Sequence, residues 1–204
     1  MFRNKKGGHM SFSKYVKGLM VSSLLIAQSV LATDFQVDVS SSKLEWFASK
    51  VTGKHNGEVK LQSGSLVLEG DQLKSGMVVI DMKSITVLDI QDPKYNKKFV
   101  GHMHSADFFE TDKFAKAVLK IKSATKSGDN TYQVKAELMI KGYTNEVTFP
   151  ATIQQKEGKL HASAELEINR AKWHIKYGST SFFKGLGDKA IHDEIKFKVH
   201  LMSK

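Results

Sequence analysis

From Leu160 to Ile168 every second residue is apolar (Leu160, Ala162, Ala164, Leu166, Ile168), and His161, Ser163, Glu165 and Glu167 stand between them. A strict period of two makes a β-strand with one dry face and one wet face. The same period governs much of the chain. Leu44, Trp46 and Ala48 share it, as do Tyr132, Val134, Ala136, Leu138 and Ile140. So do Val147, Phe149, Ala151 and Ile153, and finally Ile195, Phe197, Val199 and Leu201. GSLVLEG at 64–70, GMVVIDM at 76–82 and the run from Val118 to Lys122 add three shorter strands. The turn-like stretches KSGDN (126–130), IKGYTN (140–145) and QKEGK (155–159) separate neighbours. Some eight half-buried strands joined this way predict an antiparallel all-β domain.

The exception is DPKYNKKFVGHMHSADFF at 92–109. Proline after Asp92 suits a helix start. Tyr95, Phe99 and Met103 then fall four apart on one stripe, and Ser105 can cap a further turn. One short helix cannot cover eight strands, so the apolar faces must cover one another, as a barrel or a sandwich. Their small residues raise a packing question. Ala136, Ala151, Ala162 and Ala164 all sit on dry faces, where Val, Ile or Phe would be usual. An unfilled void of roughly 500 Å3, at about 24 cal/mol per Å3, would cost on the order of 12 kcal/mol. That is comparable to the stability of a whole domain. Packing, water or an apolar ligand must fill such a space. The alternation leaves open whether Trp46 and Phe149 fill it or a narrow channel remains.

The N-terminus reads as an address rather than as structure. Residues 2–17 carry Arg3, Lys5, Lys6, Lys14 and Lys17 and no acid, and GLMVSSLLIAQSVLA follows at 18–32. The apolar part is shorter than the roughly 20 residues that span a bilayer, and it ends in small Ala32. Charged, apolar and small-residue regions in that order predict a secretory signal at 1–32, with Met1 or Met10 as its start. Residues 33–204 then form a single domain of ordinary size. Losing five basic residues and no acid lowers the formal charge from +10 to +5. A charge of that size favours transient contact with an anionic membrane surface and gives little support to a nucleic-acid partner. Cysteine is absent, so the core must hold without disulfides.

Chemistry-bearing patterns are sparse. His102 and His104 would share a face in a strand but diverge on a helix, and no third ligand stands at a zinc spacing. A surface or head-group role is expected for them. His55, His161, His174, His192 and His200 form no pattern. The chain has no G-x-S-x-G elbow, and GSTSFFKGLGDK at 178–189 has no phosphate-loop spacing. That stretch reads as a long connection whose Phe182, Phe183 and Leu186 either close one end of a barrel or tuck into a surface loop. Asp188, Asp193 and Glu194, beside Lys189 and Lys196, read as a solvated, salt-bridged strand start. Arg170, close to Trp173, is expected to pair with an acid at a barrel end or to stack on a ring. Nothing here supports an enzyme, a metal or a cofactor.

Five segments in order resemble the YceI-like family of polyisoprenoid-binding, lipocalin-like periplasmic proteins. They are SKLEWFASKVTGKHNGEVKLQSGSLVLEG (42–70), GHMHSADFFETDKF (101–114), LMIKGYTNEVTFP (138–150), LEINRAKWHIKYG (166–178) and IHDEI (191–195). The family pattern has an acidic residue and a Phe-Gly soon after the arginine, where this chain has Lys172, Trp173 and His174. The loop at 178–190 is also longer. The resemblance implies an antiparallel eight-stranded lipocalin-like barrel with a short helical insertion. Its tunnel would hold an isoprenoid or other long-chain lipid, of quinone or polyprenyl type. The tail would lie against Trp46, Val134, Ala136, Leu138, Val147 and Phe149 on one side. Ala151, Ala162, Ala164, Leu166 and Phe197 would complete the wall. The head group is expected near His102, His104, Arg170 or Trp173. Two rival readings are a stress-related structural or interaction barrel with a packed core, and an enzyme acting on lipid or quinone through His102 or His104. A homodimer through exposed strand edges is compatible with the sequence, though no pattern demands one.

Overall fold

The computed structural model describes residues 31–204, so the expected signal at 1–32 lies outside the described residues except for its last two. Ten strands form one sheet, with every neighbouring pair antiparallel. They are β1 (Ala32–Gln36), β2 (Lys43–Lys50), β3 (Gly53–Glu58), β4 (Leu61–Glu69) and β5 (Gln72–Asp81). After the helix α1 (Pro93–His104) come β6 (Lys116–Lys126), β7 (Thr131–Ile140), β8 (Tyr143–Lys156), β9 (Lys159–Asn169) and β10 (Ile191–Met202). The order across the sheet is β1-β4-β5-β6-β7-β8-β9-β10-β2-β3, and it curls into a half-barrel.

The expectation of eight strands is therefore corrected to ten. The eight marked by apolar alternation are β2 and β4 to β10. The two additional strands, β1 and β3, are the two edges of the sheet. β3 reads GKHNGE and carries no apolar side chain, and β1 reads ATDFQ with Phe35 as its one large apolar residue. An edge strand can be held by its backbone hydrogen bonds and needs no dry face. Each edge is also tied back to the chain. Val37 pairs with Ser203 beyond the end of β10, and the Lys204 amide donates to the Gln36 carbonyl at 2.9 Å. Along β3, the amides of Thr86 and Leu88 donate to the carbonyls of Glu58 and Asn56, both at 2.9 Å. Engaging edges in this way blunts their tendency to pair with other chains.

The turns follow from local chemistry. Lys141-Gly142 and Glu157-Gly158 have φ of 51° and 78°, and 53° and 77°, the doubly positive pattern of two-residue hairpins. At the helix start, Asp92 accepts from the amides of Lys94 (2.8 Å) and Tyr95 (3.0 Å). Ser105 ends the helix and a further turn follows. Only the C-terminal half of the expected stripe faces the barrel. Met103 is buried and Phe99 half-buried, but Tyr95 is 65% exposed.

Buried residues form two clusters. One, near the helix, includes Trp46, Met103, Leu138, Ile168 and Trp173. The other, toward the far end, includes Leu66, Leu73, Tyr132, Val134 and Leu160. The Trp46 indole donates to the Thr86 carbonyl at 3.2 Å, packing the 84–89 segment onto the rim. This approach requires glycine at position 57, because a Cβ there would lie 1.8 Å from the Thr86 oxygen. Replacing Gly57 by Ala should cost about 1–3 kcal/mol in chemical denaturation, the usual range for overpacking. A loss too small to measure would mean that the 84–89 segment does not seat on β3 as described.

Candidate functional site

The curled sheet and α1 enclose a chamber of about 380 Å3 that no side chain fills. Its wall is apolar almost throughout. Ala162 and Ala164 line it and are only half-buried although they lie on the inner face, because they border open space. Left unfilled, such a volume would cost on the order of 9 kcal/mol at about 24 cal/mol per Å3. The interior is thus not the solid core in which large aromatics close over the alanines.

Most of the residues expected along the tail meet at this chamber. Trp46, Val134, Leu138, Phe149, Ala151, Ala162, Ala164, Leu166 and Phe197 line it, and so do Arg170 and His102. Four expected residues stand elsewhere. Ala136 is fully buried in the far cluster, and Val147 packs against both clusters. Trp173 is 1% exposed, with its indole donating to the Leu138 carbonyl at 2.9 Å. His104 turns away from the chamber to bond the Thr111 hydroxyl at 2.9 Å. Of the residues not anticipated, Val199 and Leu201 continue the alternation of Phe197 and could have been read from it. Phe108 and Tyr177 arrive from two connections, where no period announces them, while Phe99 comes from the α1 stripe it shares with Tyr95 and Met103.

Those three rings shape the helical end of the chamber. The Tyr177 ring meets His102 edge-on at 4.5 Å, and Phe108 does so from another side at 4.9 Å. Phe182 and Phe183 do not close this end, being 39% and 47% exposed. Their connection is pinned instead by Ser179 and Ser181, whose hydroxyls donate to Asp193 Oδ2 at 2.8 and 2.6 Å.

Three imidazoles stand on the chamber lining at this end: His55, His102 and His192. His55 tilts over Phe99 at 4.6 Å and pairs with Asp89 at 2.8 Å. His102 Nε2 lies 3.2 Å from Asp107, and His192 Nδ1 lies 2.9 Å from the Ser49 hydroxyl. Strand register brings them together from β3, α1 and β10, which sequence spacing does not disclose. Among the described residues, no group of three or more His, Cys, Asp or Glu is placed to hold a metal ion.

Arg170 is the structural bolt of this end. It is 1% exposed, and its guanidinium donates to the carbonyls of Ile175 (3.0 Å), Ile191 (3.2 Å) and His192 (3.3 Å). Its Nη2 lies 3.2 Å from Asp193 Oδ1, an ion pair too bent to count as a hydrogen bond. Asp193 is itself buried, which corrects the expectation of a solvated strand start. Burial lowers the guanidinium pKa, while the charges of Asp193 and Glu194 raise it again. Arginine remains protonated in proteins despite such a shift. The site therefore offers apolar area for a long tail and imidazole and hydroxyl groups where a polar head would emerge.

Comparison with known proteins agrees with this architecture. A family model described as the YceI-like domain matches residues 35–202. A UPF0312 protein of Pseudomonas fluorescens (strain SBW25) is 26% identical over 141 residues, covering 68% of this chain and 70% of that protein. A UPF0312 protein of Staphylococcus aureus (strain bovine RF122) is 32% identical over 127 residues, 57% of this chain and 63% of that protein. Among solved structures, BcnA of Burkholderia cenocepacia superposes with a TM-score of 0.68 at 23% identity, covering 82% of this chain and 99% of BcnA. A polyisoprenoid binding domain from Saccharophagus degradans gives 0.61 at 16% identity, covering 83% and 97%. At these identities the two structures establish likeness of fold.

Removing the partner of a buried charge leaves that charge uncompensated, so Asp193→Ala should destabilise the domain by about 3–5 kcal/mol. Urea titration of the variant measures this. A loss below about 1 kcal/mol would place the pair in a wetter setting than its burial indicates.

Proposed function

The chain belongs to the YceI-like family, and we propose that it is a non-enzymatic carrier holding the apolar tail of an isoprenoid or related long-chain amphiphile in the chamber. The single observation that carries this reading is the unfilled apolar space of about 380 Å3, within the range of roughly 300–1,000 Å3 typical of ligand pockets. The fold it shares with a polyisoprenoid binding domain supports the same class of ligand. The tail lies along Ala151, Ala162, Ala164, Phe149 and Leu166. A quinone or polyprenyl head lies at the rim by His102, with His55 and His192 beside it. Arg170 fixes the rim backbone and leaves the hydrogen bonding of the head to the imidazoles.

Burial of the tail drives binding, at about 0.8 kcal/mol per CH2. A forty-carbon tail would nominally yield roughly 30 kcal/mol, above the ceiling near 20 for non-covalent complexes. Tail ordering and the stability of the tail in its source membrane take up the difference, so affinity does not follow from area alone. The signal-like 1–32 segment supports export, and a periplasmic site of action is part of the proposal. The chamber weighs against the packed interaction barrel; of the two histidines in the enzyme reading, His102 stands on its wall and His104 does not.

Ala164→Phe and Ala162→Phe direct a ring into the chamber. Both variants should fold with a melting temperature equal to or above that of the parent, since they fill space. Long-chain lipid recovered by organic extraction should fall at least about tenfold per mole of protein, as the ring takes the space of the tail. Folded variants that retain the full lipid content would contradict the assignment.

A further inference from the structure

The connections at the two ends of the half-barrel differ in charge, and the exposed aromatic rings lie at one of them. At the far end the strand connections are 37–42, 70–71, 127–130 and 157–158. They contain Asp38, Asp71, Asp129 and Glu157 and no Lys or Arg, with Lys43, Lys126, Lys156 and Lys159 flanking them on the strand ends and Lys126 paired with Asp71. At the chamber's helical end the connections are 51–52, 59–60, 82–115, 141–142 and 170–190. These hold twelve Lys and Arg against six Asp and Glu. Most of those acids are already engaged. Asp89 and Asp107 pair with His55 and His102, Asp112 and Glu110 pair with Lys83 and Lys113, and Asp92 caps α1. By contrast, Lys94, Lys97, Lys98, Lys176, Lys184 and Lys189 are exposed and lie in no ion pair among the described residues.

Exposed apolar surface is concentrated at the same end. All five exposed aromatics among the described residues stand there: Tyr95, Tyr143, Tyr177, Phe182 and Phe183. With Val51 and Leu88 they make seven of the ten exposed large hydrophobics. Lysine and ring are interleaved, with Lys176 Nζ 5.2 Å from the centre of the Phe182 ring. Tyr177 joins this surface to the chamber, since it is 45% exposed and also lines the cavity.

We propose that this lysine- and aromatic-rich end docks reversibly on an anionic phospholipid bilayer, presenting the mouth of the chamber to the membrane. Aromatic rings settle at the level of the headgroups and lysines are drawn to anionic lipid, a combination that fits a surface-bound state without insertion. The far end, with its acidic connections, faces away from the same surface. The docking deepens the carrier reading, because it names the partner with which the chamber exchanges its ligand, and it is tested separately from lipid content.

The test is co-sedimentation of the protein, purified from its own cells without detergent, with vesicles of 30% phosphatidylglycerol and 70% phosphatidylcholine. Pure phosphatidylcholine vesicles serve as the reference. Binding should be at least tenfold stronger to the anionic vesicles. Each lysine near such a surface contributes about fivefold, so Lys97→Glu with Lys98→Glu should weaken binding by at least tenfold. Phe182→Ser with Phe183→Ser should weaken it as well, and these exposed positions leave the fold intact. Lys156→Glu with Lys159→Glu makes the same change in net charge at the far end and should leave binding within twofold of the parent. Equal losses from both charge reversals, or no preference of the parent for anionic vesicles, would overturn the docking face. Extracted lipid per protein, measured on the same samples, separates the two ideas. Retained lipid with no vesicle binding rejects docking alone, while vesicle binding by a chain that never carries lipid rejects the carrier and leaves a membrane-docking protein.

Discussion

A ten-stranded sheet with one twelve-residue helix has little besides itself to cover its apolar face. Curling solves that problem, because the inner faces of β4 to β10 and β2 then shield one another. The solution depends on what fills the middle. Leu, Ile and Phe on every inner position would close it, but Ala151, Ala162 and Ala164 stand on paired strands with Ala164 opposite Ala151 in register. The wall is consequently set back along one side, and the chamber is the space that those small side chains leave. Stability and function are thus set by the same residues, since whatever occupies the chamber also completes the core.

The helical end faces a different constraint. Five strand connections meet there, one of them carrying α1, and many of their backbone groups lie outside the ladders of the sheet. Arg170 resolves part of this by donating to three carbonyls at once while its charge is met by Asp193. Asp193 in turn receives two serine hydroxyls from the 178–190 connection. This buried network holds the rim in place while its outer residues stay exposed. The imidazoles of His55, His102 and His192 are thereby presented at a fixed opening, beside aromatic rings that complete the lining.

Much of this was legible from the sequence wherever one face of a strand is dry. The eight alternating segments are the eight strands that build the wall, and the small residues Ala162 and Ala164 raise the question of an internal space without deciding between a channel and a core closed by Trp46 and Phe149. β1 and β3 left no trace because an edge held by backbone hydrogen bonds needs no apolar pattern. The convergence of His55 with His102 and His192 was equally silent, since it depends on register between segments far apart in the chain. Phe182 and Phe183 are ambiguous in the sequence for a related reason. Their apolarity suggests a plug, but the connection is anchored by Ser179 and Ser181, which leaves the rings outside. Arg170 was readable as a paired residue, although its partner Asp193 looked like part of a solvated acidic run.

A carrier of this kind requires a long apolar molecule in the chamber. Native mass spectrometry of the protein, taken from its own cells and kept free of detergent, addresses this directly. A carrier should show a stoichiometric adduct that organic extraction identifies as an isoprenoid or similar long-chain amphiphile. A mass equal to that of the polypeptide alone, in every charge state and under the gentlest desolvation, would contradict it.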